Sequence, residues 1–184
     1  MKSETKGWGM LVVLACIWGS SFILMKKAMF TSSGDTIFSD VQVASLRMLF
    51  ASVALLPMAI RGFKRIQSSK HIFLFMIVGF FGNYFPSYLF TYAETGLSSG
   101  YAGMLNSCTP IFALLIGFLI FKDYLTKIQL IGVLIGTVGI VSLSITGQDF
   151  EIHGDWRHIL AIVIATVCYG VSLNTIKHTL QSYR

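Results

Sequence analysis

The sequence predicts an all-α polytopic membrane protein with six transmembrane helices. Of its 184 residues, 54% are hydrophobic and 12% are charged, whereas about 25% of the residues in soluble domains are charged. The mean hydropathy is +0.72, and several apolar runs have roughly the 17–25 residues that a helix needs to cross a bilayer. None alternates apolar and polar residues as a barrel strand does, so each run must satisfy its backbone hydrogen bonds as a helix.

The six predicted spans follow one another with mostly short loops. They cover residues 8–25, 41–60, 72–92, 102–121, 128–145 and 159–176. The first span follows Lys2 and Lys6 as the core of a signal peptide does, but its apolar run continues past Cys16 and five more spans follow. We therefore expect it to be a membrane helix. Only the segments 30–40 and 147–158 are longer connections, and neither has the composition of a soluble domain.

The distribution of positive charge predicts the orientation of the helices. With the N-terminus inside, the cytoplasmic segments before the last span hold eight Lys and Arg residues, and the outer segments hold three. Because Lys and Arg favour the cytoplasmic side, both termini are predicted to be cytoplasmic, in the plasma (inner) membrane. The net charge of +6 then reflects topology and predicts a lipid bilayer as partner, with no nucleic acid.

The cysteines predict no special chemistry. Cys16, Cys108 and Cys168 fall in three different spans and form no C-x-x-C pair. A disulfide framework or a zinc site is therefore not expected. No other cofactor or metal is predicted.

The first and sixth spans carry a similar pattern. Residues 15–28 (ACIWGSSFILMKKA) align with residues 166–179 (TVCYGVSLNTIKHT), and the matching pairs are Trp18 with Tyr169, Gly19 with Gly170, Ser21 with Ser172 and Lys26 with Lys177. If the sixth span restarts the pattern, the repeat has five spans, and an odd number inserts the second copy upside down. Inverted repeats are typical of secondary transporters, whose substrate site lies near the midplane. The predicted domains are 1–146, the first five-helix repeat, and 147–184, an outer loop and the first helix of a second, truncated repeat.

The fourth and fifth spans show a fixed order of features. Small residues (Ser98, Ser99 and Ala102) open a helix, Pro110 lies in mid-span, Asp123, Leu125 and Thr126 form a turn, and Gly132, Gly136 and Gly139 follow. Together with WGSSFILMKKA in the first span and SLRMLFASVALLP in the second, this order resembles the EamA-type transporters of the drug/metabolite transporter superfamily. That family usually carries Glu where Asp123 stands.

The resemblance implies an inverted five-plus-five helix repeat with ten spans. This chain has six, so two alternatives stay open. Either the chain is a fragment, or its pathway is completed by a partner, which would be a second copy or the missing second repeat.

The third span carries polar side chains in two neighbouring rows. One row is Asn83, Ser87 and Thr91, and the other is Tyr84, Tyr88 and Tyr92, at the i, i+4 spacing of one helix face. Polar groups that face lipid lack partners, so the rows should face protein or a water-filled cavity. Tyrosines near a helix end also fit an aromatic belt. We predict the cavity for Asn83 and Tyr84 and the belt for Tyr92.

Two prolines are predicted to release backbone acceptors. Pro86 and Pro110 leave the carbonyls of Gly82 and Asn106 without a helical donor. Such carbonyls can hold a donor such as an ammonium group at a midplane site, or the kinks serve packing alone.

Charged groups within the spans are few. Arg47 lies inside the second span, where a charge costs roughly 2.5–3.5 kcal/mol on insertion scales, so it needs an acid or a carboxylate ligand as partner unless it snorkels outward. No acid lies in the core of a span, and Glu94 at the outer end of the third is the nearest. The sequence therefore offers no obvious proton relay in this part of the chain, and any coupling would have to come from Glu94, from further sequence or from elsewhere.

A G-x-S-x-G match at residues 96–100 suggests a hydrolase nucleophile, but no strand precedes it. Ser98 or Ser99 is instead predicted to cap the fourth helix, and the protein is predicted not to be an enzyme.

The combined prediction is a transporter that moves small polar organic solutes, amino acids or related metabolites, by alternating access. The predicted substrate-binding residues are Trp18, Ser21, Asn83, Tyr84, Tyr88, Asn106, Tyr169 and Asn174, with Arg47 as a charge partner in the membrane. A non-transporting membrane scaffold that packs through glycine-rich helix faces is the alternative.

Overall fold

The computed structural model describes residues 2–63, 66, 68–146 and 155–181. In this part of the chain the helices are α1 Lys2–Met29, α2 Asp40–Phe63, α3 Ser69–Gly96, α4 Ser99–Leu119, α5 Lys127–Thr146 and α6 Trp156–Thr179. All of these except α5 contain a stretch long and apolar enough to cross a membrane. α5 has 20 residues, and its described apolar stretch is Lys127–Ile140. The prediction of an all-α polytopic membrane protein is confirmed. The predicted domain boundary at 146/147 and most of the loop 147–158 lie outside the described residues.

Local sequence signals set the starts of two helices. α2 begins after Ser39, whose hydroxyl accepts from Gln42 N at 3.2 Å while Gln42 Oε1 accepts from Ser39 N at 2.9 Å. This reciprocal pair is a capping box, which satisfies two free N–H groups of the first turn. α4 begins after Ser98, whose hydroxyl accepts from Tyr101 N at 3.2 Å, so the predicted N-cap is confirmed.

Pro86 and Pro110 coincide with irregular helix, whereas α2 continues through Pro57. In α3, the α-helical segments Ser69–Gly79 and Phe85–Gly96 flank a π-helical turn over Phe80–Tyr84, directly before Pro86. In α4, the segments Ser99–Asn106 and Thr109–Leu119 are separated by a turn at residues 107–108, just before Pro110. A proline cannot donate to the preceding turn, and a π turn adds one residue to the helix. The faces of α3 before and after the turn are therefore out of phase.

α6 lies in the middle of the bundle, against both α3 and α4. A Cβ added at Gly170 would lie 2.8 Å from Ile116 Cδ1 and 3.1 Å from backbone atoms of Phe112. A Cβ added at Gly82 of α3 would collide with the hydroxyl of Ser172. Small residues thus permit the close approach on which helix association in a membrane depends.

Burial is concentrated at one end of the bundle, called here the Glu94 end. The buried cluster there joins α1, α2, α3, α4 and α6, and it includes Phe22, Met25, Met29, Val43, Phe90, Leu97, Tyr101 and Ala165. Toward the opposite end, called the Asp123 end, residues 7–20 of α1 and 49–63 of α2 are all exposed. α1 and α2 therefore join the bundle through only half of their length.

α5 lies at the edge of the bundle. A Cβ added at Gly132, Gly136 or Gly139 would meet nothing within 4 Å. The glycine face of α5 is therefore uncovered in the described residues.

Candidate functional site

Four polar side chains from four helices meet at the Glu94 end. Glu94 of α3 is 0% exposed and lies within electrostatic range of Lys26 of α1 and Arg47 of α2. Arg47 interacts in the same way with Tyr169 of α6. The cluster thus holds one acid, two cations and a phenol inside the packed end of the bundle.

The hydrogen bonds of the two cations go elsewhere. Lys26 Nζ donates to the carbonyl of Leu97 at 2.6 Å, and Arg47 Nη1 donates to the sulfur of Met25. Within the described part of the chain, neither carboxyl oxygen of Glu94 has a hydrogen-bond partner. Glu94 is therefore close to two positive charges but is not hydrogen-bonded to either of them.

An aromatic row connects this cluster with the middle of the bundle. The rings of Phe22 and Phe90 meet edge to face with centroids 5.6 Å apart. Phe90 in turn stacks on Tyr169, with centroids 5.9 Å apart. Phe90 therefore links α1 to α6 through one edge-to-face and one stacked ring contact, both of which are favourable arrangements of aromatic pairs.

A polar cavity lies at the opposite end of α6, against α4. Its volume is about 200 Å³, and its polar lining consists of Asp123, Gln129, Asn174 and Lys177. Lys177 Nζ donates to Asp123 Oδ2 at 2.7 Å, and His178 Nε2 lies 3.1 Å from the same oxygen. This cavity offers an amide and charges of both signs to a small polar molecule.

The turn after α4 fixes the position of Asp123. Lys122 has a φ of 58°, the left-handed conformation, and Asp123 N donates to the Gly117 carbonyl at 2.9 Å. The hydrogen bond from Lys177 lowers the pKa of Asp123; partial desolvation opposes this effect, and His178 adds to the lowering. Asp123 is thus held as a carboxylate at neutral pH.

Some of the predicted substrate-binding residues lie near others or near these sites. Tyr84 and Tyr88 have ring centroids 5.1 Å apart, and Tyr88 Oη lies 3.1 Å from Ser45 Oγ of α2. Tyr169 belongs to the Glu94-end cluster. Asn174 lies at the Asp123-end cavity, where its amide nitrogen donates to the Ala113 carbonyl at 2.8 Å.

The other four predicted residues are placed apart from these. Trp18 is 61% exposed, and the Ser21 hydroxyl donates to its carbonyl at 2.7 Å. Asn83 is also exposed. The Asn106 carbonyl, which Pro110 was predicted to release, accepts from Thr109 Oγ1 at 2.7 Å. The structure therefore does not join all eight residues in a single pocket.

Sequence reasoning did not place Glu94 or Lys177 among the site residues. A usable signal for Glu94 is its spacing, four residues after Phe90 and three before Leu97, which puts it on the apolar side of α3. Within the described residues, no three His, Cys, Asp or Glu side chains are grouped so as to hold a metal ion.

Comparison with known proteins agrees with this architecture. Residues 5–145 match the EamA-like transporter family. An "Uncharacterized transporter" of Archaeoglobus fulgidus is 26% identical over 97% of this chain and 60% of its own length. The "Uncharacterized transporter YetK" of Bacillus subtilis is 27% identical over 99% of this chain and 54% of its own length.

The "Uncharacterized transporter YdfC" of Bacillus subtilis is 26% identical over 81% of this chain and 46% of its own length. The chain thus spans about half the length of the curated relatives it matches. No solved structure shows a significant match. With a family match over most of its length and helices that can cross a membrane, the chain is an integral membrane protein and belongs to the EamA-like transporter family.

Proposed function

We propose that this chain forms part of a carrier that moves small polar organic solutes, amino acids or related metabolites, across the membrane by alternating access. The observation that carries the proposal is the uneven packing of the bundle. The Glu94 end is closed by buried side chains, whereas the Asp123 end has a polar cavity and exposed stretches of α1 and α2. A carrier that is closed at one end and open at the other has this form.

The charge distribution gives the proposal a direction. Because Lys and Arg favour the cytoplasmic side, we propose that both termini and the Asp123 end face the cytoplasm, at the inner membrane. The arrangement then corresponds to a carrier open to the inside. α1 and α6 run in opposite directions, and the aligned residues Lys26 and Lys177 contact partners at opposite ends. Both facts support an inverted repeat.

The solute path is proposed to run along the predicted residues from the exposed face of α3 toward α6. Aromatic rings would stack on the apolar part of a solute, and amide groups would bind its polar part. The proposed wall consists of Trp18, Ser21, Asn83, Tyr84, Tyr88, Asn106, Tyr169 and Asn174, with Arg47 as the nearby charge. Its remaining side would come from a second repeat or a second copy of the chain.

Cysteine accessibility tests the path without knowledge of the solute. After replacement of the native cysteines, Asn83→Cys is treated with a membrane-impermeant thiol reagent in sealed membranes. We expect labelling, because Asn83 is proposed to face water in the middle of α3.

Val53→Cys is the matched control. Val53 is 62% exposed and lies as far from the Glu94-end terminus of α2 (Asp40) as Asn83 lies from that of α3 (Gly96). We expect it to face lipid and to stay unlabelled. Equal protection of both positions would contradict a water-filled path at this depth.

The scaffold alternative is supported by the uncovered face of Gly132, Gly136 and Gly139 on α5. Such a face commonly packs against another helix. Protection of Asn83→Cys, together with loss of an oligomer on Gly136→Leu, would favour the scaffold.

A further inference from the structure

Glu94 is a buried acid that the proposed solute path does not use. It is 0% exposed and lies two residues before the end of α3 at Gly96. Both of its carboxyl oxygens are buried without a hydrogen-bond partner among the residues that the structure describes. A group of this kind is rare in proteins and calls for a physical reason.

The positive groups around Glu94 are occupied with other acceptors. Lys26 Nζ donates to the Leu97 carbonyl at 2.6 Å, which caps the end of α3, and Arg47 donates to the sulfur of Met25. Burying an ionised carboxylate without a hydrogen-bonded partner is strongly unfavourable. In the arrangement described here, Glu94 is therefore neutral and carries a proton.

A simple change of rotamer would give Glu94 a partner. Glu94 lies in the last turn of α3 and Leu97 follows the end of that helix, so both residues lie at the same corner of the bundle. The flexible side chain of Lys26 reaches this corner from the end of α1. Its ammonium group has three donors, so it can pair with Glu94 by turning from the Leu97 carbonyl or by donating to both groups.

We infer that Glu94 is a proton-binding site within the bundle, protonated while Lys26 caps α3 and ionised when Lys26 turns to it. Loss of the proton transfers it to water and leaves a carboxylate paired with an ammonium group. The role of this proton in driving solute movement rests on the proposed function; the site itself does not.

Two basic side chains lie within electrostatic range of Glu94, Lys26 of α1 and Arg47 of α2. Tyr169 of α6 lies within electrostatic range of Arg47, and Tyr101 of α4 belongs to the buried cluster at this end. The surroundings can therefore stabilise the carboxylate once its desolvation is relieved.

The proposal links the proton to the closed end of the carrier. Lys26 ties the end of α1 to the corner between α3 and α4, and Ser99 Oγ of α4 donates to the Phe22 carbonyl at 3.3 Å in the same region. When Lys26 turns to Glu94, its contact moves from a backbone carbonyl to a carboxylate of the same helix end. Protonation of Glu94 would thus decide which group at the end of α3 holds the end of α1.

The site is tested by thermal unfolding of the full-length protein in detergent, with wild type and Glu94→Gln compared across pH. A glutamine copies the neutral acid in shape. We expect the two proteins to be equally stable at acidic pH. Above the pH where a free Glu ionises, about 4.3, the wild type should lose about 3–5 °C per pH unit relative to Glu94→Gln, until Glu94 ionises in the folded protein.

The sign of this difference decides the result. A carboxylate that is ionised and paired in the folded protein would make the wild type the more stable of the two as pH rises. That outcome, or parallel curves, would overturn the proton site. Neither outcome bears on the accessibility of Asn83→Cys, so the path and the proton site can fail separately.

The exchange of partners is tested with an apolar carbodiimide, which adds to protonated carboxyls, followed by peptide mass spectrometry. We expect a Glu94 adduct at acidic pH that disappears as pH rises. In Lys26→Met the midpoint of this loss should move up by about one pH unit, whereas Lys27→Met, an exposed neighbour, should keep the wild-type midpoint. Equal midpoints in all three proteins would overturn the pairing of ionised Glu94 with Lys26. Absence of the adduct at every pH would overturn the protonated state of Glu94.

Discussion

Gly170 and Gly19 occupy matching positions in the aligned stretches of α6 and α1 but have opposite surroundings. A methyl group at Gly170 would lie 2.8 Å from Ile116 and 3.1 Å from the backbone of Phe112, whereas a Cβ at Gly19 meets nothing within 4 Å. Both changes to alanine gain about 1 kcal/mol of helix propensity. Only Gly170→Ala also forces α4 and α6 apart, and overpacking of this kind costs about 1–3 kcal/mol.

The difference between the two variants therefore isolates the cost of overpacking. Thermal unfolding in detergent should place Gly170→Ala below Gly19→Ala by about 2–12 °C, from roughly 2–4 °C for each kcal/mol in a chain of this size. The backbone of Phe112 cannot move away without moving the helix, so relaxation should be limited. If the Gly170 variant were as stable as the Gly19 variant, the close contact between α4 and α6 would be refuted.

Three further predictions concern polar contacts. The pKa of Asp123 lies below its usual value because of the hydrogen bond from Lys177. The pair should therefore stabilise the fold above about pH 4 and lose its effect in more acidic solution. In Asp123→Asn, the unfolding temperature should depend less on pH in that range. Asn174→Ala should lower the free energy of unfolding by about 1–3 kcal/mol, because the Asn174 amide hydrogen-bonds α6 to α4. Asn83 is exposed, so Asn83→Ala should change that free energy by no more than about 0.5 kcal/mol. Equal losses for the two variants in a denaturant titration would contradict the contact. Ser98→Ala should lower the free energy of unfolding by about 1 kcal/mol, because α4 loses its N-cap. The same denaturant titration measures this loss, and an unchanged midpoint would contradict the cap.

Features that depend on neighbouring residues in the sequence could be predicted well. The helical spans follow from apolar runs of sufficient length, and the cap at Ser98 follows from its place before an apolar helix. Irregular helix next to Pro86 and Pro110 follows from the missing N–H of proline. These effects act within one or two turns, so they need no knowledge of the partners.

The polar rows of α3 could be predicted only in part. Asn83, Ser87 and Thr91 were expected on one face from their regular spacing, yet Ser87 and Thr91 are buried while Asn83 is exposed. The π turn over Phe80–Tyr84 adds a residue just where the row begins, which rotates Asn83 away from the other two. A regular i, i+4 spacing in the sequence gives no sign of such an inserted residue.

The spacing of Glu94 predicts the apolar side of α3, but its complete burial could not be predicted from its own neighbourhood. A glutamate close to a helix end is normally at the membrane surface, where water solvates it. Here the end of α1, the start of α2 and the middle of α6 cover it. That arrangement is tertiary and joins segments far apart in the sequence.

The central position of α6 has a consequence for biosynthesis. A ribosome makes residues 156–179 after the five preceding helices, so those helices must enter the bilayer before the segment that fills the space between α3 and α4 exists. Insertion of single helices and their later assembly are separable steps in membranes. We therefore expect the early helices to remain loosely associated in the nascent chain, and their protease resistance to rise once α6 has been translated.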